Sequence, residues 1–193
     1  RRHAASTAAD HVRADGGSWH VVSFDSTTGK VLARFTHQGY ADSSTWSRGE
    51  AWLLYGFTMA SRETGSREYL ATARKVADYF IAHLPPDGVP CWDFQAPGCP
   101  GGPELRDASA AAIAASGLLD LAGRVGGADG ARYRAAAERI LTSLLQPPYQ
   151  APAGSDALLL HATGHRPAGT EIDVSLIYGD YYFVEALERY LRT

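Results

Sequence analysis

The densest run of chemistry-bearing side chains is Thr36-His37-Gln38-Gly39-Tyr40-Ala41-Asp42-Ser43-Ser44-Thr45-Trp46-Ser47-Arg48-Gly49-Glu50-Ala51-Trp52. Aromatic faces with convergent polar groups suit a sugar or a small carboxylate. Arg48 can fork onto a carboxylate with two parallel hydrogen bonds, and Trp46 or Trp52 can stack on a sugar ring. A plainer reading competes with this one: both Trp residues are core, Arg48 pairs with Glu50 or Asp42, and Asp42 caps the following helix. Residue by residue the two readings are balanced. The cluster as a whole points to a site, because its polar residues gather in a loop at the entrance of a buried helix.

Other polar residues are more ordinary. His20 falls in a strand-like segment and acquires a role only if that strand folds over the site. His161 and His165 are spaced i, i+4, but Gly164 and Pro167 argue against a helix there and so against a zinc pair. His3, His11 and His83 read as surface or helix positions. Asp93, Asp107 and Asp173 are the remaining candidate mouth acids; Asp107 and Asp173 stand at expected helix starts, where Asp usually caps and complements the helix dipole. Glycoside chemistry commonly uses paired carboxylates, but the sequence does not show which acids face each other.

The elements that position these residues repeat. Asp42-Ser43-Ser44, Asp107-Ala108-Ser109 and Asp173-Val174-Ser175 recur about 65 residues apart, each opening a stretch of small and apolar residues. Residues 1–14 read as the tail of a helix closed by Asp15-Gly16-Gly17. Residues 19–24 and 31–35 read as a hairpin around a Ser-Thr-Thr-Gly turn. Helices are expected over Ser47–Arg62, Glu68–Leu84, Ala108–Ala122, Arg132–Leu145 and Val174–Leu191. The first, third and fifth are apolar on several sides and the second and fourth carry one stripe, which predicts inner and outer layers. The outer pair register with each other: Tyr69, Ala73, Val76 and Phe80 match Tyr133, Ala137, Ile140 and Leu144 step for step. This is the pattern of an all-α toroid of helical hairpins with its Asp-x-Ser motifs at one mouth. Three inner helices make about half of a six-hairpin ring. The Gly/Pro loops at 85–88, 96–103 and 146–154 are too short to be linkers, so residues 1–193 read as one domain fragment. A half ring leaves the inner faces of Ser47–Arg62 and Ala108–Ala122 open, and such patches predict poor solubility or oligomerisation.

Composition narrows the function class. A formal net charge of −3 offers no basic field for nucleic acid. No run reaches the roughly 18 apolar residues of a membrane span. The chain begins at Arg1 and its only Met is Met59, so the natural start codon is expected to lie upstream. Cys91 and Cys99 read as unpaired thiols, with a local disulfide as the alternative that needs an oxidising compartment. No metal site is expected. The sequence fixes no compartment; the cytoplasm is favoured.

The segments Trp19-His20-Val21-Val22, Thr36-His37-Gln38-Gly39-Tyr40, Ser44 through Trp52, Cys91-Trp92-Asp93-Phe94, Arg106 through Ala110 and Ile172 through Tyr182 resemble glycoside hydrolase family 88, the unsaturated glucuronyl hydrolases. The likeness spans nearly the whole chain in order and corresponds to the family's C-terminal half. It implies an (α/α)6 barrel, half of it here, together with the small β-hairpin. It implies that the partner is an unsaturated uronate-containing oligosaccharide, and that the missing N-terminal half of the barrel supplies the two catalytic aspartates, none of which lies in this chain. It implies hydration of the 4,5-double bond by general acid–base catalysis without metal or organic cofactor. On the motifs quoted, it carries substrate binding onto His20, His37, Gln38, Arg48 and Trp52, with Thr36 weaker and the His161–His165 loop weaker still. The family often has Gln where this chain has Glu50, and a carboxylate there is expected to pair with Arg48 and weaken its hold on an anion. Unsaturated rhamnogalacturonyl hydrolases of family 105 are a near alternative, disfavoured by His37-Gln38-Gly39. From other classes come a non-catalytic sugar-binding half-barrel and a plain helical-repeat scaffold.

Overall fold

The computed structural model describes residues 2–100 and 105–192. The end of the loop expected over 96–103, Pro103 included, lies outside them. Among the described residues the elements are α1 (Arg2–Asp10), β1 (Val21–Phe24), β2 (Val31–Phe35), α2 (Ser47–Thr64), α3 (Arg67–Ala82), α4 (Ala108–Val125), α5 (Gly127–Leu144) and α6 (Ile177–Leu191).

Helix α4 is built almost entirely of small and branched apolar residues, and it is the core. It packs against α2 on one side, α6 on the other and α5 behind, while α3 backs α2. It is long and apolar enough to cross a membrane by composition, yet most of it is buried inside this fold. The inner helices α2, α4 and α6 run in one direction. Their N-terminal ends meet at Arg48, Asp107 and Tyr178, and their C-terminal ends at Arg62, Asp120 and Arg189. Two glycines permit this close layer. A Cβ on Gly117 would lie 3.2 Å from the Tyr55 backbone, and one on Gly179 would lie 3.1 Å from the Ser109 Cβ. The expected outer register is present: Tyr69, Ala73, Val76, Phe80, Tyr133, Ala137, Ile140 and Leu144 are all buried.

Local signals set the helix ends. Gly65 closes α2 in the left-handed region, its N–H returning to the Ser61 carbonyl. Ser66 caps α3 by accepting from the Tyr69 N–H, and Asp107 caps α4 by accepting from the Ser109 and Ala110 N–H groups. Neither of the other Asp-x-Ser motifs opens a helix. Helix α2 starts five residues beyond Asp42 without a side-chain cap, and α6 starts at Ile177 after Asp173 adopts a positive φ of 55°. A motif matched by spacing therefore performs its capping role once in three occurrences. The hairpin pairs Val21 with Phe35 and Val22 with Arg34, and its register slips between Ser23 and Phe24. His20 stands just before β1 rather than within it.

Two expectations are overturned. Cys91 and Cys99 are joined in a disulfide and are not free thiols. The turn between them brings their Cα atoms to 6.2 Å, within disulfide span. The inner face of α4 is not open, because α2, α5 and α6 enclose it. The face of α2 stays partly open, in an apolar cleft that includes Trp52, Leu53 and the exposed Met59, and further apolar surface lies on α6, where Ile177, Tyr181 and Val184 form a stripe at helical spacing beside Leu158. On this basis the 193-residue chain should self-associate in sedimentation velocity, and Ile177→Asp with Val184→Asp should shift it toward monomer. A monomeric wild type across the micromolar range would refute the role given to this stripe.

Candidate functional site

The loop of residues 36–46 carries His37 and Gln38, and the exposed Asp42, the buried Asp93 and the partly buried Arg13 hold it on three sides. Asp42 Oδ1 accepts from the Thr36 N–H at 2.9 Å, closing the loop on itself. Asp93 Oδ2 accepts from the Tyr40 N–H at 3.0 Å and the Ser44 hydroxyl at 2.7 Å, while its Oδ1 accepts from the Gln95 N–H. Arg13 donates from Nη1 to the carbonyls of Ser18 and Ser43, and from Nη2 to the Thr45 hydroxyl. Thr45 Oγ1 also shares a hydrogen bond with the Tyr79 hydroxyl. Burial pushes the Asp93 carboxyl up, and the Ser44, Tyr40 and Gln95 hydrogen bonds oppose that push. Asp93 is thus a structural peg rather than a mouth acid. Asp93→Ala leaves the Tyr40 and Gln95 amides without their acceptor. It should cost about 1–3 kcal/mol and speed hydrogen exchange at the Tyr40 amide. Unchanged protection there would mean that another group holds the loop.

His20 sits beneath this loop. Its Nδ1 lies 3.2 Å from Thr36 Oγ1 and accepts from the His37 N–H at 3.2 Å and the Gln38 N–H at 3.3 Å. An Nδ1 that accepts from two amides places the proton of the neutral ring on Nε2. Burial, then the His37, His11, Arg48 and His165 charges, lower its pKa to about 4. His20 is therefore a neutral imidazole through the physiological range, its ring tilted 35° against that of Trp46 with centroids 4.4 Å apart.

Arg48 projects from the first turn of α2 and is buried. Its Nη1 donates to Asp107 Oδ2 at 2.7 Å and the Thr163 carbonyl at 2.7 Å, and its Nη2 donates to the Gly164 carbonyl at 2.6 Å. The guanidinium lies between the Trp46 and Tyr178 rings, at 4.7 and 5.4 Å from their centroids. Gln38 Nε2 donates to the same Gly164 carbonyl at 2.9 Å, and His165 Nε2 meets the His37 carbonyl at 2.9 Å. Arg48 and Gln38 together hold the strap of residues 161–174, which closes on itself through Ala162–Val174 and His165–Thr170 pairing.

Glu50 does not pair with Arg48. It points away, fully buried, and neither of its carboxylate oxygens meets a hydrogen-bond partner within geometry. Burial raises its pKa to about 8, and the Ser18 hydroxyl and Arg13 charge offset this only in part. The anion-weakening role expected of it is corrected by orientation, since positions 48 and 50, two residues apart, face different sides of α2. Arg48 pairs with Asp107, and with neither Glu50 nor Asp42.

The structure thus brings His20, Thr36, His37, Gln38 and Arg48 together. Trp52 lies one turn deeper and faces Tyr182 and Tyr178 of α6 at 5.1 and 6.3 Å. His161 bonds Asp173 at 2.6 Å on the strap, and His165 packs on His37 at 4.7 Å. No group of three or more His, Cys, Asp or Glu side chains suited to a metal occurs among the described residues. The pegs Arg13 and Asp93 escaped the sequence reading as pegs. Asp93 had a signal, an acid alone between Trp92 and Phe94, while Arg13 had none.

Comparison with known proteins gives a consistent result. No protein-family model matches the chain. An unsaturated glucuronyl hydrolase from Formosa agariphila is 40% identical over 192 residues, covering 97% of this chain and 47% of the relative. The crystal structure of an unsaturated glucuronyl hydrolase specific for heparin superposes with a TM-score of 0.94 at 42% identity, over 98% of this chain and 51% of that one. A variant of an unsaturated glucuronyl hydrolase from Streptococcus agalactiae, complexed with dGlcA-GalNAc6S, superposes with a TM-score of 0.80 at 34% identity, over 94% and 48%. The chain spans about half the length of the curated relatives it matches.

Proposed function

From the premise that this chain is homologous to the C-terminal half of the unsaturated glucuronyl hydrolases, glycoside hydrolase family 88, with half of their α/α barrel, we propose that residues 1–193 form part of one (α/α)6 domain. The proposed activity is removal of a 4,5-unsaturated uronic acid from the non-reducing end of an oligosaccharide. The observation that carries this reading is the convergence of Gln38 Nε2 and Arg48 Nη2 on one oxygen, that of Gly164, beside a neutral His20. Both donors are engaged by that carbonyl, so they fix the strap at the rim and hold His20, His37 and Gln38 in place as a polar lining for a sugar.

The chemistry begins with protonation of the enol ether at C4 and addition of water at C5; the hemiketal then opens and releases the remaining sugar. His20 offers an Nε2–H donor that does not titrate near neutrality. Thr36 and the His37 and Gln38 amides fix that ring. Gln38, His37 and Trp52 contact the sugar, and Arg48 supplies positive field while holding the strap at the rim. The proton donor lies elsewhere. Asp93 and Asp107 are buried and fully engaged in hydrogen bonds, and Asp42 closes its own loop. That same observation favours the second reading, a sugar-binding half-barrel without turnover.

Incubating the native polypeptide with an unsaturated disaccharide, while following loss of the double-bond absorbance and measuring intact mass, separates the two. Turnover by a polypeptide of about twice this length, abolished by His20→Ala or Gln38→Ala, supports the enzyme. Binding without turnover at the length of this chain supports the module. Absence of both removes the sugar reading altogether.

A further inference from the structure

At the opposite end of the inner helices, roughly 20 Å along α2 from Arg48, a cleft of about 460 Å³ opens between the C-terminal ends of α2, α4 and α6 and the start of α3. Its walls include Ser61, Arg67, Asp120, Arg124, Arg189 and Arg192. Four guanidinium groups and one carboxylate line the cleft, and Arg189 also pairs at 3.3 Å with Glu185 on its own helix. Asp120 is already shared, at 2.6 Å from Arg62 and 3.0 Å from Arg189. Arg192 pairs at 3.3 Å with Glu188 on its own helix, where both side chains are largely exposed and the pair contributes little. Arg67 and Arg124 make no ion pair among the described residues. Arg124 donates from Nε to the Ser61 hydroxyl at 3.2 Å, which leaves its two terminal nitrogens for a ligand.

Helix dipoles account for part of this arrangement. Arg62, Arg124 and Arg189 lie in the last turns of α2, α4 and α6, where a cation complements the partial negative charge. They do not account for Arg67. It occupies the first turn of α3, where the helix end is already positive and a cation is unfavourable, with Glu68 of the same turn offsetting this in part. A bound anion relieves that repulsion and gives Arg67 and Arg124 the partner they lack. Planar guanidinium forks match tetrahedral oxyanions in particular.

We propose that this cleft is a binding site for a phosphate- or sulfate-type oxyanion, held by Arg67 and Arg124 with Arg192 at the rim, and separate from the site at the mouth. The oxyanion is either a free ion or an ester group on a saccharide chain. Calorimetric titration of the native polypeptide with inorganic phosphate, with sulfate and with a saturated sulfated oligosaccharide tests this, each against chloride at matched ionic strength. Phosphate and sulfate should bind where chloride does not, and the double variant Arg67→Ala/Arg124→Ala should bind at least tenfold more weakly. Oligosaccharide binding tenfold tighter than free sulfate, and lost in the double variant, identifies the ester as ligand; equal affinity identifies the free ion. Equal binding by wild type and double variant, or no binding beyond the chloride control, overturns the site. Arg67→Ala alone, with its exposed side chain, serves if the double variant fails to fold.

Discussion

Replacing Arg48 with Met is expected to remove about 3–5 kcal/mol of folding stability, because it leaves a buried partner charge uncompensated. Asp107 is wholly inaccessible. Burial opposes its charged form, and the Arg48 guanidinium and the Ser109 and Ala110 donors sustain it. Loss of Arg48 also strips donors from the Thr163 and Gly164 carbonyls, so the strap of residues 161–174 loses its main tie to α2. The effect should be seen twice: in a lowered urea midpoint, and in faster amide exchange at Ala162 and Val174, which pair across the strap. Arg48→Lys should recover only part of the stability, since one ammonium does not span a carboxylate and two carbonyls as a planar fork does. The double change Arg48→Met/Asp107→Leu should be milder than Arg48→Met alone, because it removes the stranded charge. A loss below about 1 kcal/mol for Arg48→Met would show that water reaches Asp107 and that this pair does not organise the mouth.

The same residue shows what was legible in the sequence. The helices were, because α4 is apolar all round and α3 and α5 are striped, and those patterns reflect burial directly. The cluster of residues 36–52 was legible as a gathering of polar side chains at a helix entrance, and the fold does bring His20, Thr36, His37, Gln38 and Arg48 together there. The partners themselves were not. Arg48 sits 59 residues from Asp107 and more than 100 from Gly164, and no local pattern specifies which acid closes on which base across packed helices. The three Asp-x-Ser motifs looked equivalent, yet only Asp107 combines a helix start with a buried cation. Asp42 and Asp173 stand in loops whose turns place their carboxylates on Thr36 and His161 instead. The cysteines illustrate the same limit. Their spacing allowed a disulfide, but only the course of the turn between them decided it. Glu50 is the sharpest case, because its neighbour Arg48 invited a pairing that helix geometry forbids.

That geometry makes Glu50→Gln the other large effect, and here the change should stabilise. Full burial of the Glu50 carboxyl disfavours its charged form, and with the Ser18 hydroxyl and Arg13 offsetting only part of this its pKa rises from 4.5 to about 8 in the fold. The unfolded chain releases this proton near pH 4.5 and the folded chain only near pH 8, so between these values the folded state binds more protons. Stability linked to Glu50 is therefore complete below the lower value, falls as pH rises, and levels off above the upper one. The full fall is on the order of 5 kcal/mol at most, from 1.36 kcal/mol per unit of pKa shift. Gln keeps the shape of the neutral acid and cannot ionise. Its stability should be flat over this window, matching the wild type near pH 4.5 and exceeding it increasingly toward pH 8. Denaturant midpoints of both proteins at several pH values provide the check. Coincident curves would mean that Glu50 is already ionised in the fold, with a water or Arg13 satisfying it, and a constant non-zero gain at every pH would point to packing rather than charge.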